Sequence, residues 1–236
     1  MTDDVDWVAL LKGLTPSEWP GFLAAHSGLP GPRANLSLLR AVVSLADPEL
    51  IATLETSGDE YSVMCAAASL GARAVDDEIV NRLRVHATDD RWRVREGVAI
   101  GLQLLGDNDI ASLIHIASTW ANDPDPLVQR AVVVALCEPR LLRDQDTVQA
   151  ALQMCRTATS QFAQWSDQRR RSPDARTLRQ ALGYCWSVIV AANPTIALAP
   201  FLDLDTNNPD INWIVTENKR KNRLAKILPA SPPPTV

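Results

Sequence analysis

The sequence has no uninterrupted apolar run approaching the roughly 18 to 20 residues that a membrane-spanning helix needs, so no segment is expected to cross a bilayer. Its opening, Met1-Thr2-Asp3-Asp4, is acidic and lacks the basic stretch and apolar core of a secretory signal, which predicts a cytoplasmic protein. Cysteine is scarce: Cys65, Cys137, Cys155 and Cys185 are far apart, and Cys65, Cys137 and Cys185 stand in apolar helical stretches. That spacing argues against a disulfide framework or a zinc motif and predicts reduced core thiols. His26, His86 and His115 stand near no Cys or Asp in a metal or nucleophile motif, and no glycine-rich loop could cradle a phosphate. No metal, no cofactor and no catalytic residue is expected. Aromatic residues make up only 5% of the chain, and no strand pattern appears: Val132-Val133-Val134 and Val188-Ile189-Val190 are β-branched runs inside longer helical frames.

What is present is a 236-residue chain, 46% hydrophobic, in which alanine, leucine and valine dominate, the mix of helices packed through small residues. The stretch from Asp89 to Gly106 organises the reading. Val94, Val98, Leu102 and Leu105 share one helical face, Asp89 or Asp90 can cap its start, and Gly106 can close it. Gly97 and Gly101 have the spacing of a close helix crossing. Along the chain, helices are predicted over Asp4 to Leu14, from the capping box Thr15-Pro16-Ser17-Glu18 to His26, over Leu36 to Leu45, and from Asp47-Pro48 to Thr56. They continue over Tyr61 to Ala74, from Asp76 to about His86, over Asp107 to Trp120, Leu127 to Cys137, Thr147 to Trp165, Pro173 to Ala192 and Pro194 to Leu202, and over a final helix from Asn208-Pro209 to about Leu228. The expected class is all-α, a right-handed α-α superhelix of helical hairpins. Residues 1–30 read as capping helices, 31–228 as the repeat array, and 229–236 as a disordered Pro-rich tail.

Acidic openings at Glu60, Asp90, Asp125, Asp174 and Asp210 recur at intervals of 30, 35, 49 and 36, the spacing of stacked helical hairpins with one insertion. In three units an arginine follows the acid by five: Asp90 and Arg95, Asp125 and Arg130, Asp174 and Arg179. This predicts a structural ladder tying successive units together. The pattern of Asp90, Val94, Arg95, Ala99 and Leu102, with a looser copy at Asp125, Val128, Arg130, Ala131 and Leu136, resembles HEAT repeats. The resemblance covers roughly residues 35–228 and implies a solenoid that works as a scaffold. The segment Asn212 to Leu224 is similar to the last repeat of HEAT-like proteins akin to the alkylpurine DNA glycosylases. In that family aromatic side chains and an aspartate on a concave face handle a lesioned nucleotide while basic groups hold the backbone. No position of this sequence takes over the catalytic roles.

Charge is uneven: residues 1–90 hold 14 acids and 6 bases (−8), and residues 91–236 hold 14 acids and 17 bases (+3). Three basic sets carry aromatic neighbours or company of their own kind. Arg91, Arg93 and Arg95 surround Trp92. Arg169-Arg170-Arg171, expected in a loop, precedes Arg176 and Arg179. Lys219, Arg220, Lys221, Arg223 and Lys226 follow Trp213. Such sets suit phosphate contact and base stacking, or else solvate and staple helices. Trp120, Trp165, Trp186 and Tyr184 are expected to fill the core. The functional reading from sequence is a non-catalytic scaffold that binds a protein partner. The alternative is a DNA-binding or glycosylase-like repair protein whose contacts are Arg91, Trp92, Arg93, Arg130, Arg169, Arg170, Arg171, Trp213, Lys219, Arg220 and Arg223.

Overall fold

A computed structural model describes residues 5–228; the acidic start and the Pro-rich tail expected from sequence lie outside the described residues. Every regular element among them is helical. In chain order these are α1 (Trp7–Lys12), a 3₁₀ turn (Pro16–Glu18), α2 (Trp19–His26), α3 (Leu36–Leu45), α4 (Pro48–Glu55), α5 (Glu60–Gly71), α6 (Asp77–Ala87) and α7 (Trp92–Asn108). Then come α8 (Ile110–Trp120), α9 (Pro126–Leu136), α10 (Gln145–Gln164), α11 (Asp167–Arg170), α12 (Pro173–Ala192), α13 (Pro194–Leu202), α14 (Pro209–Lys219) and α15 (Asn222–Ala225). No helix of the described residues is long and apolar enough to cross a membrane.

The helix starts are written in short polar residues. Asn35 accepts from the Leu38 N–H at 3.1 Å, Asp47 from Leu50 at 2.8 Å, Asp76 from Ile79 at 2.9 Å and Asp144 from Thr147 at 2.8 Å, each satisfying an amide that the helix itself cannot. At Thr15 the Glu18 carboxylate accepts from both the backbone N–H and the hydroxyl at 2.7 Å.

The structure corrects several expectations. Neither Asp89 nor Asp90 caps α7: Arg91 stands at that position, and Asp89 instead receives the Arg91 N–H at 2.8 Å. Gly106 is helical and buried, and α7 runs on to Asn108, so the next helix starts at Ile110 rather than Asp107. The arginine-rich loop contains the turn α11, capped by Ser166. The last helix is two helices, with a break at Arg220 and Lys221.

The helices group into two units, residues 1–113 and 114–236. In the first, α5 is the enclosed element: every residue from Tyr61 to Gly71 is buried, against α2, α3, α4, α6 and α7. Its tightest neighbour is α7, and glycine is the reason. A Cβ on Gly97 would run into the Met64 carbonyl oxygen, one on Gly101 into that of Ala68, and one on Gly71 would stand 2.8 Å from the Gly101 Cα. The expected close crossing is therefore backbone against backbone. Burial pushes the Tyr61 hydroxyl far above its ordinary range, so it stays a donor, to the Asn35 carbonyl at 2.5 Å.

In the second unit α12 is the centre, packed on α9, α10, α13, α14 and α15. Trp186 is fully buried there; its Nε1 donates to Thr159 Oγ1 at 3.0 Å, and its ring lies 5.9 Å from that of Phe201. All four cysteines are buried and unbridged. Cys137 and Cys155 sit Sγ to Sγ at 3.8 Å, and burial raises the Cys137 thiol well above its usual range, which keeps it protonated and unreactive. Within each unit, helices begun at successive acidic openings pack on one another: α5 on α7, α9 on α12, and α12 on α14.

Gly101→Ala is expected to cost about 2–4 kcal/mol of unfolding free energy, since both clashing partners are backbone. Gly21→Ala, in α2 with nothing within 4 Å of the new methyl, should be neutral or stabilising by up to about 1 kcal/mol. Urea titrations of the two variants check the pair, and equal midpoints would refute the account.

Candidate nucleic-acid interface

The corner where α10 gives way to α11 and α12 holds five arginines of the second unit, Arg169, Arg170, Arg171, Arg176 and Arg179. Ser166 caps α11 and Ser172 caps α12, so the chain turns twice within seven residues and points Arg169, Arg170 and Arg171 in different directions. Arg169 lies 4.0 Å over the Trp165 ring and donates to the Pro124 carbonyl at 2.5 Å. Arg170 is mostly buried and fully engaged: it donates to the carbonyls of Ala163 (3.2 Å) and Trp165, to Asp167, and through Nε to Asp210 Oδ2 at 3.0 Å. The other oxygen of Asp210 takes Arg179, whose guanidinium stacks 4.5 Å from the Trp213 ring. Arg179 thus pairs with the opening acid of the next helix hairpin, Asp210, and not with Asp174 as the sequence spacing suggests. Arg171 and Arg176 are exposed in the same cleft and make no side-chain hydrogen bond or ion pair among the described residues.

Further along α12, Tyr184 is 42% exposed, against the expectation of a core residue. Leu178, Leu182, Cys185 and Ile189 form the buried face, and Tyr184 points some 200° away from Leu182, a displacement that the helical period dictates. Arg223 of α15 lies 4.6 Å from its ring and donates to its hydroxyl at 2.8 Å; Lys221 Nζ is 5.9 Å from the same ring. This contact exists because α14 ends early and the chain folds back. What ties α14 to α12 is Asn218, fully buried, which sequence reasoning passed over. Its Oδ1 accepts from the Ser187 N–H at 2.8 Å, and its Nδ2 donates to the Leu182 and Ile214 carbonyls, both at 2.8 Å. The adjacent Gly183 leaves room for the Trp213 ring: a Cβ there would stand 2.9 Å from Cζ3. A polar residue late in an otherwise amphipathic helix was the available signal. Lys219 and Arg220 are exposed, the latter paired with Glu217.

The first-unit set is committed to structure. Asp89 grips Arg91 through Nε at 2.9 Å and Nη2 at 2.7 Å; that hydrogen bonding holds the Asp89 carboxyl below its usual range and Arg91 above its own. Arg93 is 6% exposed, bound to Glu96 and to the Pro32 carbonyl, each at 2.9 Å, and lies 3.7 Å over Trp92. Arg95 donates to the backbone carbonyls of Asp89 and Asp90. Trp92 remains half-exposed. Asp125 caps its own helix through the Leu127 N–H at 2.8 Å, and Arg130 is half-buried on α9. Among the described residues no group of three or more His, Cys, Asp or Glu is arranged to hold a metal ion.

No protein-family model matches the chain, and no curated protein matches it. Among solved structures, it is similar to the crystal structure of AlkD2 from Streptococcus mutans, with a TM-score of 0.69 at 15% identity over 87% of this chain and 98% of that one. At that identity the likeness establishes a shared all-α helical-repeat fold.

Asn218→Leu should lower unfolding free energy by about 2–4 kcal/mol, because it removes the three hydrogen bonds of a fully buried amide inside the α12–α14 contact. Urea denaturation reads this directly, and an unchanged midpoint would show the amide to be dispensable. Asp89 supplies a pH test. Its carboxyl is depressed in the folded state, so its contribution is complete above the unfolded value of about 4 and is lost as pH falls through that value towards the folded one. The wild type's stability margin over Asp89→Asn is therefore expected at pH 7 and should shrink as pH drops below about 4; a margin independent of pH would contradict it.

Proposed function

We propose that this chain binds nucleic acid, DNA in the first instance, through the basic and aromatic surface of its second unit. The observation that carries the reading is the composition of that surface: Trp165, Trp213 and Tyr184 each have an arginine stacked on them, and Arg171 and Arg176, which line the cleft with Arg170 and Arg179, keep their charge unneutralised. Guanidinium forks suit phosphate oxygens, and Tyr184, 42% exposed, offers a ring that suits a base. Two further facts support it: the fold shared with AlkD2 and the resemblance of residues 212–224 to the last repeat of alkylpurine-glycosylase-like proteins. Binding, not base excision, is what these residues account for.

A protein-binding scaffold, the first reading of the sequence, has less support. Of the large apolar side chains that are exposed, Val75, Val85, Trp92 and Leu202 stand on different helices and loops, whereas partner surfaces gather them into contiguous patches. Fluorescence anisotropy with labelled duplex DNA, intact and abasic, tests the proposal. With about three phosphates neutralised, affinity should fall roughly 40-fold between 50 and 200 mM salt. Absence of binding at low salt would refute it.

A further inference from the structure

The cleft at the α11–α12 corner has a charge pattern that goes beyond a generic basic surface. Its lining holds Arg170, Arg171, Arg176 and Arg179 against the carboxylates of Asp167 and Asp210, four positive charges to two negative. The arginines are not equivalent. Arg170 and Arg179 share Asp210 between them, and Arg170 is further pinned by two backbone carbonyls and Asp167. They form a fixed wall that is close to neutral as a set. Arg171 and Arg176 have no partner, so the surplus charge sits on them. One donor of the wall is also unspent: Arg179 Nε is buried and makes no hydrogen bond. The cleft lies beside the first turns of α12, a 20-residue helix whose cap is the uncharged Ser172, so the partial positive charge of the helix start is not cancelled by a capping carboxylate. Asp174 in that first turn is exposed, lies outside the lining and offsets part of that charge.

We infer that this cleft is a binding site for a phosphate monoester dianion, carried by a phosphorylated strand end or by free phosphate. A surplus of two charges matches the roughly −1.5 to −2 of a monoester near pH 7, whereas a diester within a strand carries a single charge and leaves one arginine uncompensated. The cleft's volume of about 500 Å³ exceeds a lone phosphate and leaves space for the sugar that bears it. The strand-end source rests on the nucleic-acid reading above; the anion site itself does not.

The test uses the full chain and the double variant Arg171→Gln/Arg176→Gln, whose side chains hold nothing in the fold. Inorganic phosphate is titrated by calorimetry at pH 7.5 and pH 5. Separately, one oligonucleotide is compared in 5′-phosphorylated, 3′-phosphorylated and unphosphorylated forms. Expected are phosphate binding that weakens at pH 5 as the dianion takes a proton, loss of about tenfold in the double variant, and an advantage of about tenfold for one phosphorylated end. Phosphate binding that depends on both arginines without any oligonucleotide binding would keep the anion site and sink the nucleic-acid reading. Salt-sensitive oligonucleotide binding with no preference for a phosphorylated end and no phosphate binding would do the reverse. Phosphate binding unchanged in the double variant would overturn the inference.

Discussion

Every packed helix of this protein must have its first backbone amides satisfied by something, and the choice of capping group governs where charge is left over. Where the cap is an aspartate, as at Asp59 before α5 and Asp125 before α9, its carboxylate sits against the positive end of the helix and offsets it on the spot. At α12 the cap is Ser172 and at α14 it is Asn208, both uncharged. Asp210, in the first turn of α14, serves as the shared acceptor of Arg170 and Arg179. The ion pairing that joins α12 to α14 runs through it, and the surplus charge stands at their corner.

Much of the fold was legible because capping and proline chemistry are local. Asn35, Asp47-Pro48, Ser172-Pro173 and Asn208-Pro209 announced the starts of α3, α4, α12 and α14 to within a residue, and α12 and α13 match their expected spans. The misreadings share a cause. Asp89 sits where a cap belongs, but Arg91 captures its carboxylate, and the helix begins without it. Gly106 looked like a terminator because glycine often is one. Glycine also lets two backbones touch, and Gly71, Gly97 and Gly101 show how strongly this protein uses that property. The continuous last helix was a sound reading of its periodicity. The break at Lys221 brings Arg223 to Tyr184, a contact between residues 39 apart that no local pattern reports.

The candidate site was legible in composition and not in arrangement. Clustered arginines in a sequence are of two kinds that spacing does not separate: those that hold turns and helix pairs, and those whose charge is left for solvent or ligand. Arg91, Arg93, Arg95 and Arg170 are of the first kind, each with carbonyls or carboxylates in hand. Arg171 and Arg176 are of the second. What decides is whether a carboxylate or an orphaned carbonyl lies within reach, a property of packing. The Asp174–Arg179 spacing illustrates the point: the arginine found a better acceptor 31 residues away, one that a second arginine also needs.

That sharing gives the corner its chemistry. Asp210 and Asp167 together offset Arg170 and Arg179, and the free arginines beside them keep their own charge. A mobile counterion would leave such a cluster weakly screened at the surface, and bulk salt would compete for it. A covalently bound dianion placed by a larger ligand would satisfy several forks at once with little further ordering, because Arg170 and Arg179 are already fixed by Asp210. The same rigidity explains why Asp210 stays in a basic cleft. By holding two guanidiniums in place it lowers the ordering cost of binding, at the expense of one unit of attraction, and the unpaired arginines supply the charge it removes.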